Sequence, residues 1–364
     1  MRPARAGRDT NVSTVAGLAE RFEAPHRLSL RINDVPIDVA TNDAAVHVRL
    51  QTYFGPYVLA PGTGAATSVA AVRLIQGSLD PDGAFHDVPR PGRKVKEAVQ
   101  ERPDGRLIWK RATGVIMGLW PGHALAVGDL RLHLNQAINL VCSSYAKVVL
   151  GRGHLLLHAS AVSRGGRAVA VGGAAGAGKS TTALRLVEAG SQFVSNDRVL
   201  VRPDATGVEI LGYPKQPRVN PGTLLHHPRL WSLLSPEDRA ILASLPPGEL
   251  WALERKADVD LETLYGPGAV SLRGHLAALV LLKWRPASGR PVMRRLDAAE
   301  ALAEVPLVYK DLGVFDLDRT PGAGPTAADR SGFVELFARV GVTEVTGGVD
   351  FGLLIDAVSD LQTS

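Results

Sequence analysis

Four residues at fixed spacing in the middle of the chain could do chemistry on phosphate. The stretch "VGGAAGAGKSTTALRLVEAG", residues 171–190, holds Gly173, Gly178, Lys179 and Ser180 in the pattern G-x-x-x-x-G-K-[ST]. Glycines let successive backbone N–H groups turn inward toward phosphate oxygens. A lysine at this position would neutralise the β- and γ-phosphates of a nucleotide, and the hydroxyl after it would ligate magnesium. The candidate nucleotide-binding segment is therefore Gly173, Ala174, Ala175, Gly176, Ala177, Gly178, Lys179, Ser180 and Thr181. Its flanks suit the motif. "RAVAVG" is an apolar strand pattern just before it, and "STTALRLVEAG" a helix pattern just after, with Gly190 as its stop. A helix N-terminus aimed at phosphate is part of the mechanism.

A carboxylate follows closely. Asp197 lies 18 residues beyond Lys179 (197 − 179), which leaves room for one helix and one turn. The next strand would thus return straight to the nucleotide end of a sheet, where α/β proteins bind ligands. There Asp197 would ligate magnesium, with Ser180, or take a proton from an attacking hydroxyl. Asn196-Asp197 also reads as a plain turn, because both residues favour turns. Its placement behind the loop favours the chemical reading. His158, in "LLLHASAV", is either a structural strand-end histidine or a third catalytic group beside Lys179 and Asp197. In "YPKQPRVNPG", Lys215 and Arg218 lie on a proline-stiffened loop. Such cations suit the γ-phosphate or an acidic acceptor, or form a solvated basic loop.

These residues need elements to hold them. Residues 1–25 read as a basic tail or loosely attached helix, 26–132 as a β-rich N-terminal domain, and 133–364 as an α/β domain with C-terminal helices. In the N-terminal part, "HRLSLRI" alternates into a turn at Asn33-Asp34. "AAVHVRLQTYF", "VAAVRLIQG" and the segments from Gly105 to Leu134 read as further strands, with no cluster of convergent polar residues. Leu134, Ile138, Val141, Tyr145 and Val148 then step as one helix face. "GHLLLHASAVSRGGRAVAVGG" reads as two strands joined at Gly165-Gly166 and feeding the loop. "LAALVLLKW" is a later strand, and "SGFVELFARV" and "FGLLIDAVSDL" are helices.

Composition bounds the rest. An apolar fraction of 45% with 21% charged residues is that of an ordinary globular protein. A net charge of +5 over 364 residues is too slight to argue for nucleic acid, and no Arg- and aromatic-rich groove is visible. The single cysteine, Cys142, forbids an internal disulfide and sits on an apolar helical stripe. No stretch approaches the ~20 apolar residues of a membrane span, and the N-terminus lacks the apolar run of a secretory signal. No membrane partner and a cytoplasmic location are expected.

The segment from Gly153 to Val201 resembles the HPr kinase/phosphorylase family in order and spacing: a strand with a His, a hairpin, a GxxGxGKS loop, a helix, then an acidic pair followed by Arg. That family's kinase domain is related in fold to phosphoenolpyruvate carboxykinase. "PKQPRVNPGT", "LWALERKADV" and "EVTGGVDF" resemble the HPr-kinase-related proteins of the B type. The resemblance implies an α/β P-loop kinase fold, ATP and Mg2+ as cofactors, and a hydroxyl acceptor on a protein serine or a small molecule. It also implies homo-oligomers. Two departures matter. The family's first aspartate, usually given the proton-transfer role, is Asn196 here. Asp197 keeps the metal position, and either takes the base role as well or serves a reaction that needs no strong base. The LExRGxG signature is absent. "LERKADV" stands in its place, with Glu254 as a second magnesium contact, so HPr itself and the phosphorolysis reaction are in doubt. The alternative is a switch that hydrolyses ATP slowly and signals to a partner.

Overall fold

The computed structural model describes residues 13–60, 68–80, 83–89, 94–285 and 289–363. The chain divides into two compact units: residues 1–152 with 311–324, and residues 153–310 with 325–364.

The first unit is built on an eight-stranded sheet. In spatial order its strands are His26–Ile32, Val35–Thr41, Ala70–Gln76, His123–Gly128, Ile116–Trp120, Gly105–Lys110, Glu97–Arg102 and His86–Asp87. Val35–Thr41, Ala70–Gln76 and His123–Gly128 run parallel, and the other pairs are antiparallel. The helix Leu134–Leu150 covers this sheet with ten buried residues, Cys142 among them. It therefore lies in the first unit, although its sequence leads into the second.

Two segments differ from the expectation. "AAVHVRLQTY" is the helix Ala44–Tyr53, not a strand. The Asp43 carboxylate caps it by accepting from Val46 N–H, and Val46 and Leu50, four apart, are its buried pair while Val48 is exposed. Residues 13–25 are also less loose than a tail. Val15–Glu20 is a helix whose first N–H groups, from Val15 and Ala16, donate to the Asp104 carboxylate at 2.7 and 2.9 Å, and Val15, Ala19 and Phe22 are buried. Residues 1–12 lie outside the described residues.

The segment 311–324 joins this unit through polar contacts. The Arg106 guanidinium donates to the carbonyls of Val314 (3.1 Å) and Asp316 (2.9 Å). The Lys147 ammonium reaches Asp316 and Asp318, both at 2.6 Å, and Asp316 is buried.

The second unit is α/β, with a nine-stranded mixed sheet. Its main path is Gln192–Ser195, Ala159–Arg164, Arg167–Gly173, Arg273–Leu282, Gly207–Gly212, Val199–Asp204 and Leu155–Leu157; Gly341–Thr346 adds to Arg273–Leu282 and carries Val292–Arg295. Arg167–Gly173 is a central strand, and its alternation serves both faces. Ala168 and Ala170 enter a cluster with Val305, Val308, Phe333 and Leu336. Val169 and Val171 enter another with Ala183, Leu184 and Val187 from the helix Lys179–Glu188 and Leu354 and Val358 from the helix Phe351–Thr363. A central strand buried on both faces fixes the height at which the loop after Gly173 emerges.

Gln192–Ser195 and Arg167–Gly173 are both antiparallel to Ala159–Arg164, so they run in the same direction. The residues after Ser195 and those after Gly173 thus reach the same end of the sheet. Among the described residues no helix is long and apolar enough to cross a membrane.

Candidate active site

The loop between Gly173 and Lys179 depends on glycine at each turn. Gly173, Gly176 and Gly178 have φ of +147°, +82° and +91°. A Cβ at Gly173 would lie 2.9 Å from the Leu282 carbonyl oxygen and 3.2 Å from Ala177 Cβ, whereas one at Gly176 would meet nothing within 4 Å. Gly173→Ala is therefore expected to cost roughly 1–3 kcal/mol of stability and to deform the loop. Gly176→Ala carries only the left-handed backbone penalty of about 1 kcal/mol. Paired denaturant melts and nucleotide titrations of the two variants check this, and equal losses would contradict it.

Gly178 precedes the helix Lys179–Glu188 and offers no side chain to cap it. The first N–H groups of that helix have no intrahelical acceptor, so they form a donor cluster suited to an anion. The loop rests on an aromatic floor. Trp284 donates its indole N–H to the Ala177 carbonyl at 2.9 Å, and Phe351 meets Trp284 edge-on at 5.2 Å. Thr181 lies 3.1 Å from Thr223, hydroxyl to hydroxyl.

Lys179 is buried, and its ammonium donates to the Gly173 (2.7 Å) and Ala174 (3.0 Å) carbonyls. Burial lowers its pKa to about 8. Nearby Asp197 opposes the shift, and Lys310 and Lys256 add to it. Ser180 donates its hydroxyl to the Asn196 side-chain oxygen at 2.8 Å.

Asp197 is not on a strand. It sits in the bend between Gln192–Ser195 and Val199–Asp204, with φ +67°, a left-handed conformation that Asp tolerates better than most residues. The Ser195 hydroxyl fixes this bend by donating to the Arg198 carbonyl and accepting from Tyr213 N–H at 2.9 Å. Asn196-Asp197 is therefore a turn, and it stands at the same end of the sheet as the glycine loop.

The half-exposed Asp197 carboxylate faces one imidazole and two cations. His158 Nε2 lies 3.3 Å from Oδ1, the Lys310 ammonium is paired with Oδ2, and Arg198 Nε is 3.9 Å from Oδ2. Burial would raise the pKa of the carboxyl, but the His158 hydrogen bond, Lys310 and Arg198 outweigh it and hold Asp197 well below the ordinary carboxylate range. Lys310 itself is pushed down by burial, against the pull of Asp197, with Arg198 and Lys215 adding to the shift.

His158 and Lys310 reach Asp197 from adjacent chain segments. His158 N–H donates to the Val308 carbonyl at 2.7 Å, Lys310 N–H to the Leu156 carbonyl at 3.2 Å, and Leu157 bridges Tyr309. Sequence reading missed Lys310. It is 113 residues from Asp197, in a stretch without motif or strand alternation.

The remaining candidates divide. Lys215 is close enough to act on Lys310. Arg218 pairs with Asp258 at 3.0 Å and donates to the Lys256 carbonyl. Glu254 is exposed, and its near neighbour Lys256, not Glu254 itself, acts electrostatically on Lys179.

The donor set beside Ser180 suits a hard cation. Octahedral magnesium takes oxygen ligands at about 2.0–2.1 Å, which puts adjacent ligand oxygens about 3 Å apart. The Ser180 and Asn196 side chains, joined here by a 2.8 Å hydrogen bond, offer two neutral oxygens of the type magnesium takes. The Asp197 carboxylate, expected to ligate magnesium with Ser180, is here paired with Lys310 and lies beside His158 and Arg198. Among the described residues no group of three or more His, Cys, Asp or Glu side chains could hold a metal by itself.

No protein-family model matches the chain, and no curated protein matches it. Among solved structures, it is similar to the Hpr(Ser) kinase/phosphatase from Coxiella burnetii, with 12% identity over 56% of this chain and 88% of that one and a TM-score of 0.30. At that score the likeness carries no argument about activity.

Proposed function

We propose that the second unit is an ATP- and magnesium-dependent kinase that transfers the γ-phosphate to a hydroxyl, on a protein serine or a small molecule. One observation carries this reading: a glycine loop with a buried lysine and an uncapped helix N-terminus shares its end of the sheet with a carboxylate gripped by His158 and Lys310. The loop N–H groups and Lys179 hold the triphosphate. Magnesium, held by Ser180 and Asn196 together with phosphate oxygens, would neutralise charge on the β- and γ-phosphates.

Asp197 accepts a hydrogen bond from the acceptor hydroxyl and points its oxygen at the γ-phosphorus. As the new P–O bond forms, the bond from the γ-phosphorus to the β,γ-bridging oxygen breaks, and its electron pair leaves with ADP. The hydroxyl proton passes to Asp197 and on to solvent. A carboxylate with a depressed pKa is a weak base. A loose phosphoryl-transfer transition state asks chiefly for position and charge, which this site supplies.

The same depressed pKa, with Asn196 where a second carboxylate could stand, favours one other reading: a slow ATPase that signals to a partner. Incubation with γ-labelled ATP and a cell extract separates the two. The kinase reading expects label on a discrete acceptor at a stoichiometry approaching one. Label recovered only as free phosphate would favour the switch.

A further inference from the structure

We propose that Lys310 is a catalytic residue of this site: a second phosphate-binding cation, whose ammonium passes from Asp197 to the γ-phosphate of bound ATP. This rests on the kinase reading above and names a residue and an order of events within it.

The first ground is placement. Lys310 is mostly shielded, with a side chain 23% exposed, and a backbone hydrogen bond to Leu156 fixes its position. It stands beside His158 on the facing segment, so the two approach the Asp197 carboxylate at different oxygens.

The second ground is charge. One carboxylate, Asp197, takes Lys310 and Arg198 beside the His158 imidazole, while the buried Lys179 and the half-buried Lys215 stand near enough to act on the same groups. Gathering ammonium groups in a shielded site is costly unless a strong anion joins them. A magnesium-bound triphosphate is such an anion, and it outcompetes a single carboxylate for a neighbouring ammonium.

The third ground is that holding the bend does not require Lys310. The Ser195 hydroxyl already fastens it, through Arg198 and Tyr213.

Before ATP binds, Lys310 occupies Oδ2 of Asp197, an oxygen the acceptor hydroxyl would use. Moving the ammonium to the γ-phosphate frees that oxygen, so the acceptor site is completed only once the nucleotide is in place. ADP lacks the γ-phosphate and leaves Lys310 on Asp197.

The test is calorimetric titration of the full chain with ATP and with ADP, each with magnesium. The proteins compared are wild type, Lys310→Met, Lys310→Gln and Lys179→Met. Wild type is expected to prefer ATP by roughly tenfold or more. Both Lys310 variants should lower that ratio by roughly fivefold or more with ADP affinity little changed, while Lys179→Met weakens both nucleotides. Two neutral replacements guard against one failing to fold. A Lys310 variant that keeps the wild-type ATP-to-ADP ratio overturns the proposal, and reduces Lys310 to a counter-ion of Asp197. So does a wild type without preference. A wild type that binds neither nucleotide overturns the kinase reading itself.

Discussion

Lys179→Ala lowers ATP affinity by roughly 10- to 100-fold, the worth of one or two charge-assisted contacts to phosphate, and reduces transfer further still. Its effect on folding is expected to be small, within about 1 kcal/mol. The reason is the state of the lysine in the free protein. Its ammonium is buried and its pKa is drawn down to about 8, so folding already desolvates a charge at some expense. Replacing it removes that expense, and in exchange the Gly173 and Ala174 carbonyls lose a donor. A residue kept for packing would show the opposite pattern, with lost stability and retained binding. Unchanged ATP affinity and turnover in Lys179→Ala would remove the loop from the active site.

Asp197→Asn should lower phosphoryl transfer by about 10²- to 10⁴-fold, the range of a lost acid–base or orienting group. ATP binding should hold or tighten, because a negative charge leaves the vicinity of the triphosphate and Lys310 loses its competing partner. Asparagine is the informative replacement. At φ +67° it keeps the left-handed bend that alanine would strain, so a loss of activity reports on the carboxylate and not on the turn. Near-ultraviolet circular dichroism and a melt confirm the fold, and quench-flow with a labelled acceptor reads the transfer step. Wild-type transfer by Asp197→Asn would return residues 196 and 197 to a purely structural role.

What could be read from residue order was the part of the site that is local in sequence. The strand Arg167–Gly173, the loop and the helix Lys179–Glu188 are contiguous, and each announces itself by glycine position or apolar period. Asp197 follows within one helix and one strand. Lys310 escaped because its neighbourhood arises from backbone pairing of residues 308–310 with 156–158, and nothing local marks a short bridged segment as a partner of a distant strand. The separate contacts of Asn196 and Asp197 were not legible either. They are adjacent in sequence, but the bend sends one side chain to Ser180 and the other to Lys310. The helix Ala44–Tyr53 was misread because Val46, Val48 and Leu50 satisfy a period of two. The cap at Asp43 selects the helical spacing of Val46 and Leu50, which leaves Val48 on the outside.

The first unit is discontinuous, and this governs how the protein can be made. A ribosome releases residues 1–152 early, yet the segment that answers Arg106 and Lys147 comes from 311–324. Between the two lie 158 residues (310 − 152) belonging to the other unit. At 5–20 residues per second, synthesis leaves the N-terminal sheet without that segment for roughly 8–35 s. Through that interval Arg106 lacks its carbonyl acceptors and Lys147 its carboxylates. For the same reason neither unit can be excised as one uninterrupted stretch of chain. A fragment beginning at 153 carries 311–324 without the surface that receives it, and one ending at 152 lacks it altogether.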